Sequence, residues 1–316
     1  MSAPVPLVID TDPGIDDCLA LLLAARWPRC RLLGVTVTYG NTTLDLAVRN
    51  AGMMLARAGA DVRVLQGWDR PLDRPLITAK ETHGNEGIGD LTGPVPEPVY
   101  PSASALRDTL RAAREPVTLV TLGPLTNLAL ALKLDAPLVR ERVARHVMMG
   151  GNIDAVGNTG PHSEFNVWCD PEAADVVFHA ELGTEMVGLD VTRKLVIPAA
   201  AVTRLATHAD PEAQWLGKLL GFYVRFHEAH EGFAGAVIND PLAVALAVEP
   251  SWGWAEAVRV RVDRSALEER GRTRIGDREA GDPEVRVYRR FDAAPVHGVL
   301  LEHLFGRWLT PSDFVA

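Results

Sequence analysis

The chain has 316 residues, 47% of them hydrophobic and 23% charged, and its 32 Lys and Arg against 41 Asp and Glu give a formal charge of −9. That usage excludes wholesale disorder, and a chain of this length buries a large core without disulfide staples. The negative balance disfavours nucleic acid and anionic membranes as partners, and neither is expected.

Met1-Ser2-Ala3-Pro4-Val5-Pro6 lacks the basic region and apolar stretch of a secretion signal, and the densest apolar run, Leu19–Ala25, is far too short to span a bilayer. Val5–Ile9 reads as a buried strand and Ile15–Arg26 as the helix after it. Cys18, Cys30 and Cys169 are odd in number and form no CxxC pair, which suits a reducing compartment; a cytoplasmic location is expected. The alternation continues with strand Leu32–Thr38, helix Thr43–Ala58 and strand Val62–Leu65. After a long Gly- and Pro-rich stretch, Gln66–Pro101, come strand Val117–Leu122, a helix from Thr126 to Leu134 and strand Val143–Met149. Gly150–Asn166 is a second long loop, followed by helix Pro171–Ala180 and strand Glu185–Leu189. Beyond residue 190 the chain turns helical (Trp215–His230, Leu242–Val248), with short β-like runs at Glu256–Val262 and Val285–Tyr288. Apolar strands alternating with helices predict an α/β fold: a largely parallel sheet covered on both faces, with helical and short antiparallel additions toward the C-terminus, all in one domain over 1–316. Loops as long as the two above are usually lids or binding loops. The mixed-sign run Arg259–Arg274 reads as a solvated surface.

In open α/β sheets the ligand lies beyond the carboxyl ends of the strands. The first strand runs into Asp10-Thr11-Asp12-Pro13-Gly14-Ile15-Asp16-Asp17, four aspartates within eight residues. One would cap the helix and two would complement its dipole, but four repel one another unless a cation sits among them. A hard divalent ion held by oxygen ligands is the natural resolution. Later strand ends bring Tyr39-Gly40-Asn41, Gly123-Pro124-Leu125-Thr126-Asn127 and Gly150-Gly151-Asn152, then Asn158 and Ser163-Glu164-Phe165-Asn166. Glu164 and Asn166, flanking Phe165, would share one side of an extended segment. Asp170-Pro171 and Asp210-Pro211 read as ordinary helix starts; Asn239-Asp240-Pro241 has the same form.

In their order these stations resemble the inosine–uridine-preferring nucleoside hydrolase family. Val8–Asp17 matches its Asp-x-Asp-Pro-Gly-x-Asp-Asp fingerprint without a gap, and the likeness runs from about residue 5 to residue 250. It implies hydrolysis of the N-glycosidic bond of ribonucleosides with bound Ca²⁺ and no organic cofactor. By that likeness Asp12, Asp17, Asp240 and the carbonyl of Leu122 are the metal ligands. Asp16, Asn41, Asn158, Glu164 and Asn166 bind ribose, while Asp10 braces the loop. Lowering the pKa of a water on the metal would let Asp12 take its proton, and a carboxylate-rich pocket suits an oxocarbenium-like transition state. A deoxyribose would be a poor substrate. The resemblance also implies a homo-oligomer, tetramer or dimer.

The chain departs from the family before its last aspartate, where Asn239 replaces a histidine placed to protonate the leaving base. Asparagine donates a hydrogen bond but transfers no proton usefully. His227, His83 and Tyr223 are the candidates to compensate, and Trp168 is a candidate to stack on the base. Two rival readings stand beside the hydrolase: an Asp-x-Asp phosphatase using Mg²⁺, and a non-catalytic nucleoside-binding protein in which Asn239 marks lost chemistry.

Overall fold

A computed structural model describes residues 3–266, 268–276 and 284–314. Its strands are β1 (Val5–Thr11), β2 (Cys30–Val37), β3 (Val64–Gln66), β4 (Val117–Thr121), β5 (Val143–Met149), β6 (Glu185–Val187), β7 (Val196–Pro198), β8 (Gly235–Val237), β9 (Gly253–Val258), β10 (Val260–Val262), β11 (Thr273–Ile275) and β12 (Val285–Phe291). Eight of them form one sheet in the order β3-β2-β1-β4-β5-β6-β12-β9, parallel throughout except for β9 against β12. The pairs β7–β8 and β10–β11 are short antiparallel additions.

Side-chain alternation along the strands builds a core on each face of this sheet. Leu7 and Ile9 of β1, and Val147 and Met149 of β5, join one cluster with the buried helices Ile15–Arg26 and Asn239–Val248. Val8, Leu119 and Met148 point the other way, onto the helices Ala105–Ala112, Thr126–Arg142 and Pro171–Phe178. Helix Ile15–Arg26 is buried from Ile15 through Ala24 because the sheet lies on one side and helices Leu44–Ala58 and Asn239–Val248 on the other; a helix apolar all round belongs in such a place.

The α/β reading of the sequence agrees with this architecture, and the differences are local. The helix from Thr126 continues to Arg142, broken at Asp135 (φ −160°), where Pro137 cannot complete the ladder and the Asp135 carboxylate accepts the Leu138 N–H. Glu185–Leu189 ends as a strand at Val187, because Leu189 opens the helical turn Leu189–Thr192. Glu256–Val262 is split between two sheets, its first part on the edge of the large one and its second in the β10–β11 hairpin. Arg259–Arg274 is not uniformly solvated: Arg270 and Thr273 are buried. Leu267 of that run lies outside the described residues. Among the described residues no helix is long and apolar enough to cross a membrane.

The sheet order places the site. The chain lays down β1, β2 and β3 in one direction, then returns to put β4 on the other side of β1. Between the carboxyl ends of β1 and β4, the loops diverge and leave a crevice.

Candidate active site

Strand β1 ends at Thr11 and delivers Asp12-Pro13-Gly14 to the start of the first helix. Asp16 and Asp17 fall in its first turn, where backbone N–H groups favour negative charge. The Asp17 carboxylate accepts from the Thr11 hydroxyl (2.5 Å), the Gly14 N–H (3.0 Å) and Asn41 Nδ2 (2.7 Å). Asp12 accepts the Asn41 N–H at 2.7 Å through Oδ2, while its Oδ1 is buried without a partner. The backbone closes around Asp12: a Cβ on Gly40 or on Gly123 would strike its carboxylate oxygens, so both positions demand glycine.

Asp240 arrives from helix Asn239–Val248. Carboxylate oxygens of Asp16, Asp17 and Asp240 lie within 4.8 Å of one another, a cluster that can hold a metal ion. Asp12, Asp17 and Asp240 are all buried. Burial, then repulsion from neighbouring aspartates, pushes the Asp12 and Asp240 carboxyls well above the ordinary range and Asp17 to about 6. Among the described residues no Lys or Arg pairs with any of the four. Two full charges at this separation repel by about 3–4 kcal/mol at an effective dielectric near 20, more than a neutral hydrogen bond or a cap returns. A proton or a bound cation must settle the difference. Asp10 stands behind them, its Oδ1 held by Thr36 and Asn127, with burial pushing it to about 7; it braces the turn.

The walls of the crevice come from the two long loops and the later strand ends. Asp16, Asn41, Leu122, Asn158, Glu164, Asn166, His83, Tyr223, His227, Asn239 and Asp240 share one cavity. Glu164 corrects an expectation. It does not alternate with Asn166 along a strand; it is the N-cap of helix Phe165–Cys169. Its buried carboxylate accepts the N–H groups of Asn166 (2.8 Å), Gly151 (2.9 Å) and Val167 (3.2 Å), which leaves one lone-pair position. Asn166 Nδ2 donates to the Leu122 carbonyl at 2.7 Å, and Asn158 Oδ1 accepts the Phe165 N–H at 2.9 Å. The amide oxygens of Asn41 and Asn166 and the amide nitrogen of Asn158 keep free capacity.

At the other end Asp16 is gripped from two elements. Tyr223 donates its hydroxyl to Oδ1 (2.8 Å), and Asn239 donates Nδ2 to Oδ2 (2.9 Å). Asn239 Oδ1 is buried and unpaired. His83 Nδ1 accepts the Ile15 N–H at 3.0 Å, capping a helical donor that otherwise has none, so its proton resides on Nε2, 3.3 Å from the Tyr223 hydroxyl. Burial pushes His83 down to about 4. His227 has the opposite arrangement: its Nδ1 is 3.1 Å from the Gly235 carbonyl and donates to it, which leaves Nε2 for the cavity. Burial lowers the His227 pKa, opposed by Glu231 and by nearby carbonyls.

Trp168 is the candidate the structure keeps out of the cavity lining. Its ring stacks on Phe165 (centroids 6.4 Å apart), and the Arg270 guanidinium lies over it at 4.0 Å while donating to the carbonyls of Trp168 and Cys169. Phe165 and Phe226 supply aromatic wall instead. Sequence reasoning passes over both, and over Arg270. Phe165 stands inside the Glu164-Phe165-Asn166 station; nothing local in the sequence marks the other two.

Comparison with known proteins yields consistent matches. The model of the family described as inosine-uridine preferring nucleoside hydrolase matches residues 7–297. The chain is 41% identical over 254 residues to a pyrimidine-specific ribonucleoside hydrolase RihA of Enterobacter sp. (strain 638), covering 78% of this chain and 80% of that one. It is 39% identical, with the same coverage, to the protein of that name from Salmonella enteritidis PT4. Among solved structures, the purine-preferring ribonucleoside hydrolase from Gardnerella vaginalis superposes with a TM-score of 0.86 at 28% identity, over 95% of this chain and 98% of that one. The plant nucleoside hydrolase PpNRh1 superposes with a TM-score of 0.85 at 28% identity, over 96% and 99%.

Proposed function

Because this chain belongs to the inosine-uridine preferring nucleoside hydrolase family, whose reaction is hydrolysis of the N-glycosidic bond of ribonucleosides, we propose that it runs that reaction with Ca²⁺ held, as the family likeness implies, by Asp12, Asp17, Asp240 and the Leu122 carbonyl, with Asp16 beside Asp17 and Asp240, and with Asp12 as general base. One observation carries the reading: Asp16, Asp17 and Asp240, buried together with no Lys or Arg paired to them among the described residues, border through Asp16 and Asp240 a cavity also lined by Asn41, Asn158, Glu164 and Asn166. The donor set is all oxygen, which suits Ca²⁺ over softer ions. The bound ion supplies a grip on vicinal hydroxyls and a lower pKa for water.

The chain's own residues do the rest. Asp12 Oδ1 is the free carboxylate oxygen, fixed by the Asn41 N–H on its other oxygen, and accepts the proton from water. Asn41, Asn158, Glu164 and Asn166 present amide and carboxylate groups that match a ribose diol, and Asp16, clamped by Tyr223 and Asn239, completes that wall. Binding energy from the unreacting hydroxyls then serves the transition state. The relatives' names support uridine and cytidine as substrates. A panel of uridine, cytidine, inosine and 2′-deoxyuridine scored by released sugar tests this. Ribonucleosides are hydrolysed, and 2′-deoxyuridine falls behind uridine by at least about a hundredfold in kcat/KM, since a site built around a hydroxyl is left with unpaired buried groups without it. Equal turnover of the two would overturn the ribose assignment.

For the leaving base, His227 suits the acid role better than His83. Only the imidazolium of His227 presents Nε2–H to the cavity, because the neutral ring spends its proton on Gly235; the Gly235 carbonyl and Glu231 favour that cation. His83 has no position for a second proton while Nδ1 accepts from Ile15, so it and Tyr223 orient Asp16. An acid with a lowered pKa gives a rate that falls as pH rises through that pKa. In His227→Phe, kcat on uridine drops by about a hundredfold and this falling limb disappears, as a pH–rate profile reads directly. An unchanged profile would return the role to His83.

A further inference from the structure

Asn158, the first cavity residue contributed by the 150–166 loop, follows five residues whose backbone is tied to one place. Asp190 lies in the helical turn Leu189–Thr192 that follows β6. Its carboxylate accepts the N–H groups of Ile153 (2.8 Å), Asp154 (2.7 Å) and Ala155 (3.1 Å). One turn later Arg193 donates to the carbonyls of Val156 (2.8 Å) and Gly157 (3.2 Å), and its guanidinium reaches Glu231 at 3.7 Å. An acid and a base three residues apart on one helical turn thus take the donors and then the acceptors of consecutive loop residues. Asp190 does not cap its own helix, has no ion-pair partner among the described residues, and does not line the cavity. Its charge is spent wholly on the loop, through charge-assisted hydrogen bonds of the stronger kind.

We propose that Asp190 is a positioning residue for ribose binding: with Arg193 it fixes the backbone of residues 153–157 so that the Asn158 amide meets the sugar. The proposal rests on the reading of Asn158 as a ribose contact. It is distinct from the metal cluster: Asp12 and Asp17 are anchored through Asn41, Thr11 and the first helix, and Asp240 comes from helix Asn239–Val248.

The test compares Asp190→Ala, Asp190→Asn, Asn158→Ala and the double variant Asp190→Ala/Asn158→Ala, measuring KM and kcat on uridine together with Ca²⁺ affinity. Loss of several hydrogen bonds to a charged group predicts a KM about tenfold higher in Asp190→Ala, with a smaller fall in kcat and unchanged Ca²⁺ affinity. Asp190→Asn recovers part of the loss, since its amide oxygen still accepts. The double variant is no worse than Asn158→Ala alone, because the two act through one contact. A merely destabilised protein would lose active fraction, lowering kcat and leaving KM in place. Should Asp190→Ala fail to fold, the near-isosteric Asp190→Asn carries the same comparison. An unchanged KM in the Asp190 variants beside a raised KM in Asn158→Ala overturns this proposal alone, as do additive effects in the double variant. An unchanged KM in Asn158→Ala overturns the ribose reading, and this proposal with it.

Discussion

Asp12→Asn lowers kcat on uridine by about a thousandfold or more while leaving the protein folded, the upper range for loss of a positioned base. The substitution is nearly isosteric, and an amide oxygen still accepts the Asn41 N–H. The Gly40 and Gly123 walls, shaped to a planar group of this size, are undisturbed. What disappears is a negative oxygen that nothing else in the fold engages. Asp10→Asn is the matched control. That carboxylate is equally buried two residues away, but its Oδ1 is committed to Thr36 and Asn127, and an amide nitrogen fits on its unpaired side. Activity there stays within about tenfold, as for a bracing residue without contact to the reacting atoms. Steady-state rates on the two purified variants decide the matter; an Asp12→Asn enzyme keeping more than a tenth of wild-type kcat would contradict the base assignment.

Metal withdrawal produces the second large effect, and its sign follows from the carboxyl groups. A carboxyl whose folded pKa is raised above its unfolded value contributes stability below the unfolded pKa and loses it as pH rises through the folded one. Asp17 is raised to about 6 and Asp10 to about 7, and Asp12 and Asp240 are raised well above the ordinary carboxylate range. The chelated protein therefore loses stability steadily from about pH 4, the unfolded value, to about pH 7. Calcium reverses the loss by binding the charged, folded form. At a hundredfold excess over Kd the gain is about 2.7 kcal/mol, worth roughly 5 °C in Tm for a chain of this size. Melting curves in chelator and in Ca²⁺ between pH 5 and 8.5 should diverge as pH rises. Curves that stay parallel across that range would show that the acidic cluster does not need an ion.

How much of this was legible in the sequence depends on the range of the interactions involved. The carboxylate turn was, because Asp12, Asp16 and Asp17 are local and four like charges at a strand end have few explanations. Asp170 and Asp210 were legible as caps for the same reason, and their side chains do accept from Ala173 and Glu212. Most strands of the large sheet were legible through their apolar runs, β5 to its ends at Val143–Met149, but the edge strands β3 and β9 were misplaced by a few residues and β9 was run together with β10. The role of Glu164 was not. Period two suggested a strand, but a carboxylate within reach of three backbone N–H groups starts a helix instead. Trp168 looked like a stacking group by adjacency alone; the five-residue helix turns it onto Arg270, a residue more than a hundred positions away. Arg270 and Thr273 read as surface because only the tertiary fold brings the β10–β11 hairpin against the Gly150–Asn166 loop, where the Thr273 hydroxyl meets the Asn152 N–H at 2.9 Å. Asp190 and Arg193 escaped notice likewise, since their partners are backbone groups, which carry no sequence signature.

Calorimetric titration of the chelator-stripped protein with Ca²⁺ at pH 7.5, with Asp17→Asn and Asp240→Asn run alongside, asks whether the acidic cluster holds an ion. The wild type binds one ion per chain, and each variant loses at least about tenfold in affinity, as expected when a charged oxygen ligand is removed. No binding in the wild type, or equal binding in all three proteins, would contradict that role for the cluster.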